Sequence, residues 1–414
     1  MCEDLLTMSG GVTVPSGTDK TVLAVLYHLI HHGPLSRPEL GAGLGLSRAT
    51  ASPVVNDLMR RGLIAEISTP PQGQRGRPVA LLDVDDERYA VTGLEIGSDR
   101  VLASVHSLRG RQLLRIERTA RADALNPRGL MRHAATVLYE ALDVVDQEGR
   151  ELLGVGVSVA GLVDATSGTI KYAPTLGWRD VALQAGVTEA LGGRAPVLLD
   201  NDANFAALAE LRRRRRDGQP TASLVYLTGT YGISAGIITG GVLWRGERGL
   251  AGELGHLNVE ADGRKCVCGR RGCLDTRAGL SAIIASCLEN ASTPRRAGRT
   301  PVGISAGVDE VASLAQSGDQ GVIEALAEAG AWLGRGAALV CAMLDPRTVV
   351  LGGHYARLAP WILSPARESF RSALLMPAPE HEQLEVSGLD AWAPAEGAAL
   401  AALLALTDGT RALP

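Results

Sequence analysis

Apolar residues in the first sixty positions recur every three or four residues, in three blocks separated by short polar turns, which predicts three helices. The first helix is expected to end at Gly33-Pro34. Ser36 is placed to cap the second, with Glu39 three residues later, and Ser47 to cap the third. The predicted buried stripes are Val22, Leu23, Val25, Leu26, Leu29 and Ile30 in the first helix and Val54, Val55, Leu58 and Met59 in the third.

Two alternating segments, "LIAEIS" and "VALLDV", follow the third helix and predict a hairpin joined by "TPPQGQRGRP". Three helices, with a tight turn between the second and third and a hairpin behind them, indicate a winged helix-turn-helix. Pro53 removes one backbone donor from the third helix. The residues predicted to contact DNA bases or phosphates are Ser36, Arg37, Ser47, Arg48, Thr50 and Ser52, together with Arg75 and Arg77 in the wing.

The distribution of charge favours DNA binding only in the N-terminal part of the chain. The chain of 414 residues has a net charge of −4, so no global field attracts it to nucleic acid. Residues 36–78, however, carry six arginines against three carboxylates. A winged helix can also be a protein-docking module, and the pattern alone leaves that alternative open.

From about residue 88 the pattern changes to short apolar runs that end in glycine, such as "LLGVGVSVAGLVD", "ASLVYLTG" and "RTVVLGG". These runs alternate with helical segments, which predicts an α/β fold. Glycines after buried strands are positions where phosphates or sugars approach the backbone. The five arginines at 212–216 are interpreted as a solvated helix end, with an auxiliary DNA or phosphate contact as the alternative. His31 and His32 are expected at the surface.

Length and composition indicate the broad class of protein to which the chain belongs. The length predicts two or three domains, and 46% apolar and 21% charged residues are ordinary for a globular protein. The acidic start "MCEDLLTMSGG" does not resemble a signal peptide, and no apolar run is long enough for a membrane helix. We therefore expect a cytoplasmic protein with no membrane partner, whose cysteines are reduced.

Three of the six cysteines lie within eight positions, in "HLNVEADGRKCVCGRRGCLD". The stretch could be a catalytic centre, a redox switch or a structural clip. His256, Cys266, Cys268 and Cys273 offer one nitrogen and three sulfur donors, a set that suits tetrahedral Zn²⁺. Four protein ligands leave no open position for water, which favours structural zinc. A Cys-x-Cys pair could still oxidise.

Five segments in order, "LDNDANFAALAE", "GISAGIITGG", "GLAGELGHLNVE", "CVCGRRGCLD" and "LDPRTVVLGG", resemble the ROK family of repressors, open reading frames and kinases. The winged helix resembles that of the family's transcriptional regulators. The resemblance implies an N-terminal winged helix-turn-helix followed by a two-lobed actin-like ATPase or sugar kinase fold. The implied divisions are a flexible N-terminus over 1–18, the DNA-binding domain over 19–85, lobe 1 over 88–205 with a returning helix over 395–408, and lobe 2 with the zinc site over 206–394.

The same resemblance implies a sugar site. Asp202 stands at the position of the family's catalytic base, although a carboxylate that bonds a sugar hydroxyl serves a sensor equally well. Asn201 and Asp202 could instead simply cap a helix, and Glu253 could pair with an arginine. Thr175 and Asp275 replace the more usual Asn and Glu. The implied ligand residues are Gly161, Thr175, Asn201, Asp202, Glu253, His256 and Asp275.

The two phosphate loops of family kinases depart from their pattern here. The first reads "EIGSDR", Glu95–Arg100, with Asp99 beside the position of a threonine. The second reads "GTYGISAG", Gly229–Gly236, interrupted by Tyr231 and Ser234. A carboxylate or a β-carbon at such positions disfavours nucleotide binding. We therefore expect no kinase activity.

The expected function is a sugar-responsive regulator, most simply a repressor of carbohydrate uptake or catabolism genes. Its partners would be double-stranded operator DNA and a sugar or sugar-derivative effector, and it would act as a homodimer or homotetramer. Two alternatives remain. One is a ROK sugar kinase with a fused DNA-binding domain, and the other is a ligand-independent regulator whose cleft is only structural.

Overall fold

The structure is a computed structural model that describes residues 17–68, 80–120, 126–230, 232–292, 303–375, 384–407 and 413. The wing tip with Arg75 and Arg77 lies outside the described residues, as do residues 1–16 of the expected flexible N-terminus and Tyr231. Residues 17 and 18 belong to the first helix in the structure.

The N-terminal part has three helices and a three-stranded sheet of order β1-β3-β2. Ser36 and Glu39 form the predicted capping box, and the Ser47 hydroxyl accepts from the Thr50 amide. The predicted apolar stripes are buried, apart from half-buried Ile30 and Met59. The elements are α1 (Gly17–His32), β1 (Leu35–Ser36), α2 (Arg37–Leu44), α3 (Arg48–Arg60), β2 (Ile64–Ser68) and β3 (Ala80–Val84).

The next part is built on a five-stranded sheet of order β11-β7-β4-β5-β6. Strands β4, β5 and β6 are antiparallel, and β7 and β11 add in parallel beyond β4. The elements are β4 (Tyr89–Ile96), β5 (Arg100–Ser107), β6 (Gln112–Thr119), α4 (Pro127–Gln147), β7 (Glu151–Val159), β8 (Leu162–Asp164), β9 (Thr169–Ala173), β10 (Trp178–Val181), α5 (Leu183–Ala190), β11 (Val197–Asn201) and α6 (Asp202–Arg216).

A second five-stranded sheet has the order β14-β13-β12-β15-β16. It repeats the first, since three antiparallel strands are followed by two parallel ones. The elements are β12 (Ser223–Gly229), β13 (Ile233–Thr239), β14 (Val242–Trp244), α7 (Asp275–Ala278), α8 (Leu280–Asn290), α9 (Ile304–Gln316), α10 (Gln320–Leu344), β15 (Thr348–Gly353), α11 (His354–Ala373), β16 (Leu384–Val386) and α12 (Ala393–Leu404).

Helix α12 returns to the first sheet and packs on β4, β7 and α6. Its last turns bury Leu400 and Leu403 in one apolar cluster with Val25 and Leu29 of α1. The winged domain therefore shares its core with the first sheet. None of the helices in the described ranges is long and apolar enough to cross a membrane.

Candidate effector and metal site

The histidine and three cysteines of the sequence motif converge. His256 ends a 3-10 turn over Leu254–His256, and a loop held by the Asn258–Cys273 and Lys265–Arg271 bridges brings the sulfurs to it. The donor atoms of His256, Cys266, Cys268 and Cys273 all lie within 4.8 Å of one another.

The spacing of these donors suits a tetrahedral metal ion. The Cys266 sulfur is 3.7 Å from His256 Nδ1, and the Cys268 and Cys273 sulfurs are 3.7 Å apart. Zinc–sulfur bonds of about 2.3 Å in a tetrahedron place two sulfurs about 3.8 Å apart. Burial raises the pKa of Cys266 and raises that of Cys273 to about 12. At Cys268, hydrogen bonds from Arg270, Cys266 and Cys273 together outweigh burial and bring the pKa to about 7, so this thiol ionises most readily of the three.

The predicted sugar residues at the start of α6 are held in a buried network. Asn201 caps α6 by accepting from the Ala203 amide at 2.8 Å, and its side-chain NH₂ donates to the Gly161 carbonyl at 2.9 Å. The Thr230 hydroxyl donates to Asp202 Oδ2 at 2.7 Å. Burial raises the pKa of Asp202 to about 6. Each polar atom of the Asn201 side chain makes one of these contacts. The oxygen has a second lone pair and the NH₂ a second N–H, so capping is compatible with a binding role.

A second group of acids faces Asp202 from the other sheet. The Ile233 amide donates to Asp275 Oδ1 at 2.7 Å, and Asp275 Oδ2 is 3.7 Å from His256 Nδ1. Burial raises the pKa of Asp275 and also raises the pKa of Glu253 to about 7, with the charges of Asp202 and Asp275 adding to the latter shift. The site therefore contains three carboxyl groups whose ionised forms are destabilised.

The glycine of the Glu-Leu-Gly-His segment makes this arrangement possible. A β-carbon on Gly255 would lie 2.3 Å from Asp275 Oδ1 and 2.4 Å from the Ile233 carbonyl oxygen. The acid after the last cysteine thus reaches the β13 backbone only because residue 255 has no side chain.

Six of the seven predicted sugar residues form two facing groups, and Thr175 lies outside them. Gly161, Asn201 and Asp202 form one group, and Glu253, His256 and Asp275 form the facing group. Thr175 is exposed, two residues beyond Ala173, which packs on Gly161. Thr230 was missed by the sequence interpretation, which treated its segment only as a phosphate loop. Its position directly after a buried strand was the available signal.

Residues of the first predicted phosphate loop contact the N-terminus of α9. Asp99 Oδ2 accepts from the Ile304 amide at 2.7 Å, at the N-terminus of α9. Arg100 Nη1 is 3.1 Å from the Ser305 hydroxyl, which lies 3.4 Å from His354 Nε2. We call these five residues the cleft clasp: Asp99, Arg100, Ile304, Ser305 and His354. The nearby Glu95 has a buried Oε2 that finds no hydrogen-bond partner among the described residues.

Glycines of the second predicted phosphate loop serve internal packing. A β-carbon on Gly232 would lie 2.6 Å from Asp275 Oδ2, and one on Gly229 would lie 2.8 Å from the Tyr355 ring. At these two positions the backbone approaches side chains of the second sheet's own helices.

The residues predicted to contact DNA differ in how far their side chains are exposed. Ser47, Arg48 and Thr50 are exposed at the start of α3, and Ser52 is half-buried. Arg37 pairs with Glu66 at 2.9 Å. Ser36 is buried and its hydroxyl bonds the Glu39 carboxylate at 2.7 Å, so its side chain is engaged within the domain.

The interpretation of 212–216 as a solvated helix end is wrong for much of the run. Arg214 is buried and pairs with Glu210 at 2.9 Å and Glu385 at 2.5 Å. Arg216 is exposed as expected. His31 also departs from the expected surface position, because its Nε2 atom is buried and has no hydrogen-bond partner among the described residues.

Comparison with known proteins decides the family. The ROK family model matches residues 91–405, and a MarR family model matches residues 16–75. The chain belongs to the ROK family. It is 27% identical over 376 residues to a xylose repressor from Bacillus subtilis, which covers 90% of this chain and 92% of that protein. The match spans the winged helix as well, so this ROK protein falls in the regulator branch.

Solved structures support the same architecture. A ROK family transcriptional regulator described as a homolog of the E. coli MLC protein superposes with a TM-score of 0.75 at 22% identity, covering 94% of this chain and 96% of that one. A ROK glucokinase from Streptomyces griseus, in complex with glucose and AMPPNP, gives a TM-score of 0.65 at 29% identity, covering 75% and 98%. The two-lobed sugar kinase fold behind a winged helix, expected from the sequence, is confirmed.

Proposed function

We propose that this ROK protein is a repressor that binds operator DNA through its winged helix and releases it when a neutral sugar enters the cleft. The observation that carries the proposal is the joint presence of an exposed α3 N-terminus and a buried carboxyl site in one chain. Full-length similarity to a xylose repressor supports both halves.

The chemistry of the cleft favours an uncharged polyol. Asp202, Glu253 and Asp275 all have raised pKa values because they are buried, and the charges of Asp202 and Asp275 raise that of Glu253 further. Carboxyl groups in either protonation state bond sugar hydroxyls, whereas a phosphate on the ligand would be repelled. A neutral pentose or hexose fits this site better than a sugar phosphate.

The metal cluster is proposed to hold structural Zn²⁺ and to frame the sugar site. His256 faces the sulfurs through Nδ1, and Glu253 and Asp275 flank the cluster in sequence and space. Zinc would fix the loop that carries these residues. His256 would then have Nε2 free to donate to a sugar hydroxyl.

Operator release is tested with fluorescence anisotropy on genomic fragments bound by the full chain, with D-xylose and D-glucose as probes. We expect specific binding that one of these sugars weakens. Arg48→Ala should weaken binding, and Arg132→Ala, on α4 outside the winged domain, is the matched control. Specific DNA binding with no sugar binding in calorimetry would support the ligand-independent regulator instead. No specific binding to any fragment would contradict the proposal.

A sugar kinase is the second candidate, because Asp202 occupies the base position with a pKa of about 6 and the glucokinase fold matches. The cleft clasp argues against it, since the Asp99 carboxylate bonds the α9 N-terminus, a position that favours phosphate. We propose that the chain is not an enzyme. A coupled ADP-release assay with D-glucose, D-xylose and Mg-ATP checks this, and sugar-dependent turnover would overturn it.

A further inference from the structure

Helix α6 begins in the proposed effector site and ends against the DNA-binding domain. Asn201 caps it and Asp202 is its first residue. At its other end Arg215 Nη1 is 3.4 Å from the Tyr27 hydroxyl on α1. Its 15 residues span about 22 Å at 1.5 Å per residue. One rigid element therefore touches both sites.

A second contact runs from the same end of α6 to the winged domain. Arg212 Nη2 donates to the Arg109 carbonyl at 2.6 Å, and the Arg109 side chain pairs with Asp83 on β3. Asp83 is almost fully buried. The end of α6 thus reaches both α1 and β3, the first directly and the second through Arg109.

The end of α6 is fastened to the second sheet. The Ser387 hydroxyl donates to Glu210 Oε2 at 2.8 Å, and Arg214 pairs with Glu385 on β16. Glu210 and Arg214 are both buried. Breaking such a buried pair is costly, so the C-terminal end of α6 moves with the second sheet.

The winged domain is fastened to the first sheet. One apolar cluster joins Val25 and Leu29 of α1 to Val91 of β4, Leu153 of β7 and Leu403 of α12. Any movement of one sheet against the other therefore shears the contact between α6 and α1.

The crossing of α6 with α12 gives this movement a pivot. A β-carbon on Gly397 would lie 1.7 Å from the Phe205 carbonyl oxygen, so the two backbones touch there. Phe205 is three residues from Asp202 and ten from Arg215. A tilt about this point would move the far end about threefold more than the effector end, because helix length is proportional to residue number.

The contact that would be sheared is weakly held. Arg215 lies beside His31, whose pKa falls to about 3 because of burial, with Arg215, Arg212, His32 and His28 lowering it further. His31 stacks edge-on to Tyr27 at 4.2 Å but its Nε2 has no partner among the described residues. Arg215 makes no ion pair with α1 among the described residues, so its hydrogen bond to Tyr27 can change while the buried Arg214 network stays intact.

We propose that α6 is a lever that transmits sugar binding at Asp202 to the winged domain through the contact of Arg215 with Tyr27. The inference rests on the proposed repressor function and names the part of the chain that couples its two sites. It adds a role for the arginine run that neither DNA contact nor solvation supplies.

The test compares Arg215→Gln and Tyr27→Phe with wild type, using operator Kd with and without D-xylose or D-glucose. Arg216→Gln is the matched control, because Arg216 is the next residue, is exposed, and pairs with neighbouring Asp217. We expect the effect of sugar on operator Kd, typically about 5- to 150-fold for a coupled pair of sites, to fall to about twofold or less in both variants. Sugar affinity by calorimetry and sugar-free operator Kd should stay at the wild-type values.

Each other outcome identifies what is wrong. A full sugar effect in Arg215→Gln and Tyr27→Phe would overturn the lever alone. Equal weakening of operator binding with and without sugar in Arg215→Gln would show that Arg215 contacts DNA, which also overturns it. A wild-type protein whose operator binding ignores both sugars would contradict the proposed function and the lever with it. The double variant should be no worse than either single one, since both remove the same contact.

Discussion

Glu95 and Asp202 show at the scale of single residues how the cleft differs from an ordinary charged surface. Both are buried, Glu95 on β4 and Asp202 at the start of α6. Burial, together with the charges of Asp202 and Asp99, raises the pKa of Glu95 to about 7, and Arg100 opposes the shift. A buried carboxyl of this kind, with one oxygen lacking a hydrogen-bond partner among the described residues, costs stability whenever it is ionised.

Replacing Glu95 with Gln should stabilise the protein at high pH. The folded-state pKa of about 7 lies above the unfolded value of 4.5, so the folded state binds more protons between these values. The free energy of unfolding therefore falls as pH rises from about 5 to 8. Glu95→Gln removes this loss, with a gain on the order of 2 kcal/mol at pH 8 and none near pH 5.

Thermal denaturation at several pH values measures this difference. Glu151→Gln is the control, because Glu151 lies on β7 in the same sheet and is exposed. A gain that does not depend on pH would mean that the stabilisation has another cause than ionisation of Glu95.

Cys268→Ser should remove the metal and the sugar response together. Losing one of four donors weakens zinc binding, and the loop that carries Glu253 and Asp275 then loses its anchor. We expect zinc content by atomic spectroscopy to fall from about one per chain to near zero, and sugar affinity to fall about 10- to 100-fold. Cys341→Ser on α10 is the control. Retained sugar affinity in zinc-free Cys268→Ser would refute the coupling.

At the scale of elements, the sequence predicted features that depend on neighbouring residues. It did not predict contacts between residues that are far apart along the chain. The periodic stripe of α3 and the caps at Ser36 and Ser47 appear as predicted, because they depend on residues within one or two turns. The helical arginine run was misread, because its partners Glu385 and Tyr27 lie 171 and 188 positions from Arg214 and Arg215. Residue type alone does not show which arginine meets a carboxylate that a later strand supplies.

The α6–α12 crossing gives a prediction that belongs to this scale. Gly397→Ala places a β-carbon against the Phe205 carbonyl, a backbone atom that cannot rotate away. We expect destabilisation of about 1–3 kcal/mol, the usual cost of overpacking, despite the better helix propensity of alanine.

Gly186→Ala on α5 is the matched control for denaturant unfolding, because its β-carbon would meet only the flexible Met131 sulfur at 3.0 Å. It should be neutral or stabilising. Equal effects of the two substitutions would show that the crossing tolerates a wider separation than the structure has.

At the scale of the whole molecule, the family and the two-lobed fold followed from ordered motifs, because ligand-contacting segments keep their residue types at fixed spacings. The sequence motifs did not predict the cleft clasp. The sequence placed Asp99 where phosphate would lie, but its partner amide belongs to Ile304, 205 positions later. A departure from a motif predicts which contact a segment does not make, whereas the contact that it makes instead becomes visible only when the lobes are assembled.

The clasp joins the two lobes, which gives the last prediction. Asp99→Ala removes an acceptor from the α9 N-terminus and should lower the population of the closed cleft. Loss of a capping carboxylate costs about 0.5–2 kcal/mol, so sugar binding, if it requires closure, should weaken about 2- to 30-fold. Asp319→Ala is the control, because Asp319 caps α10 within one lobe and its loss should leave sugar Kd unchanged. Calorimetry with the effector sugar measures both. An unchanged Kd in Asp99→Ala would mean that the cleft closes on sugar without the clasp, and the carboxylate would then only exclude nucleotide.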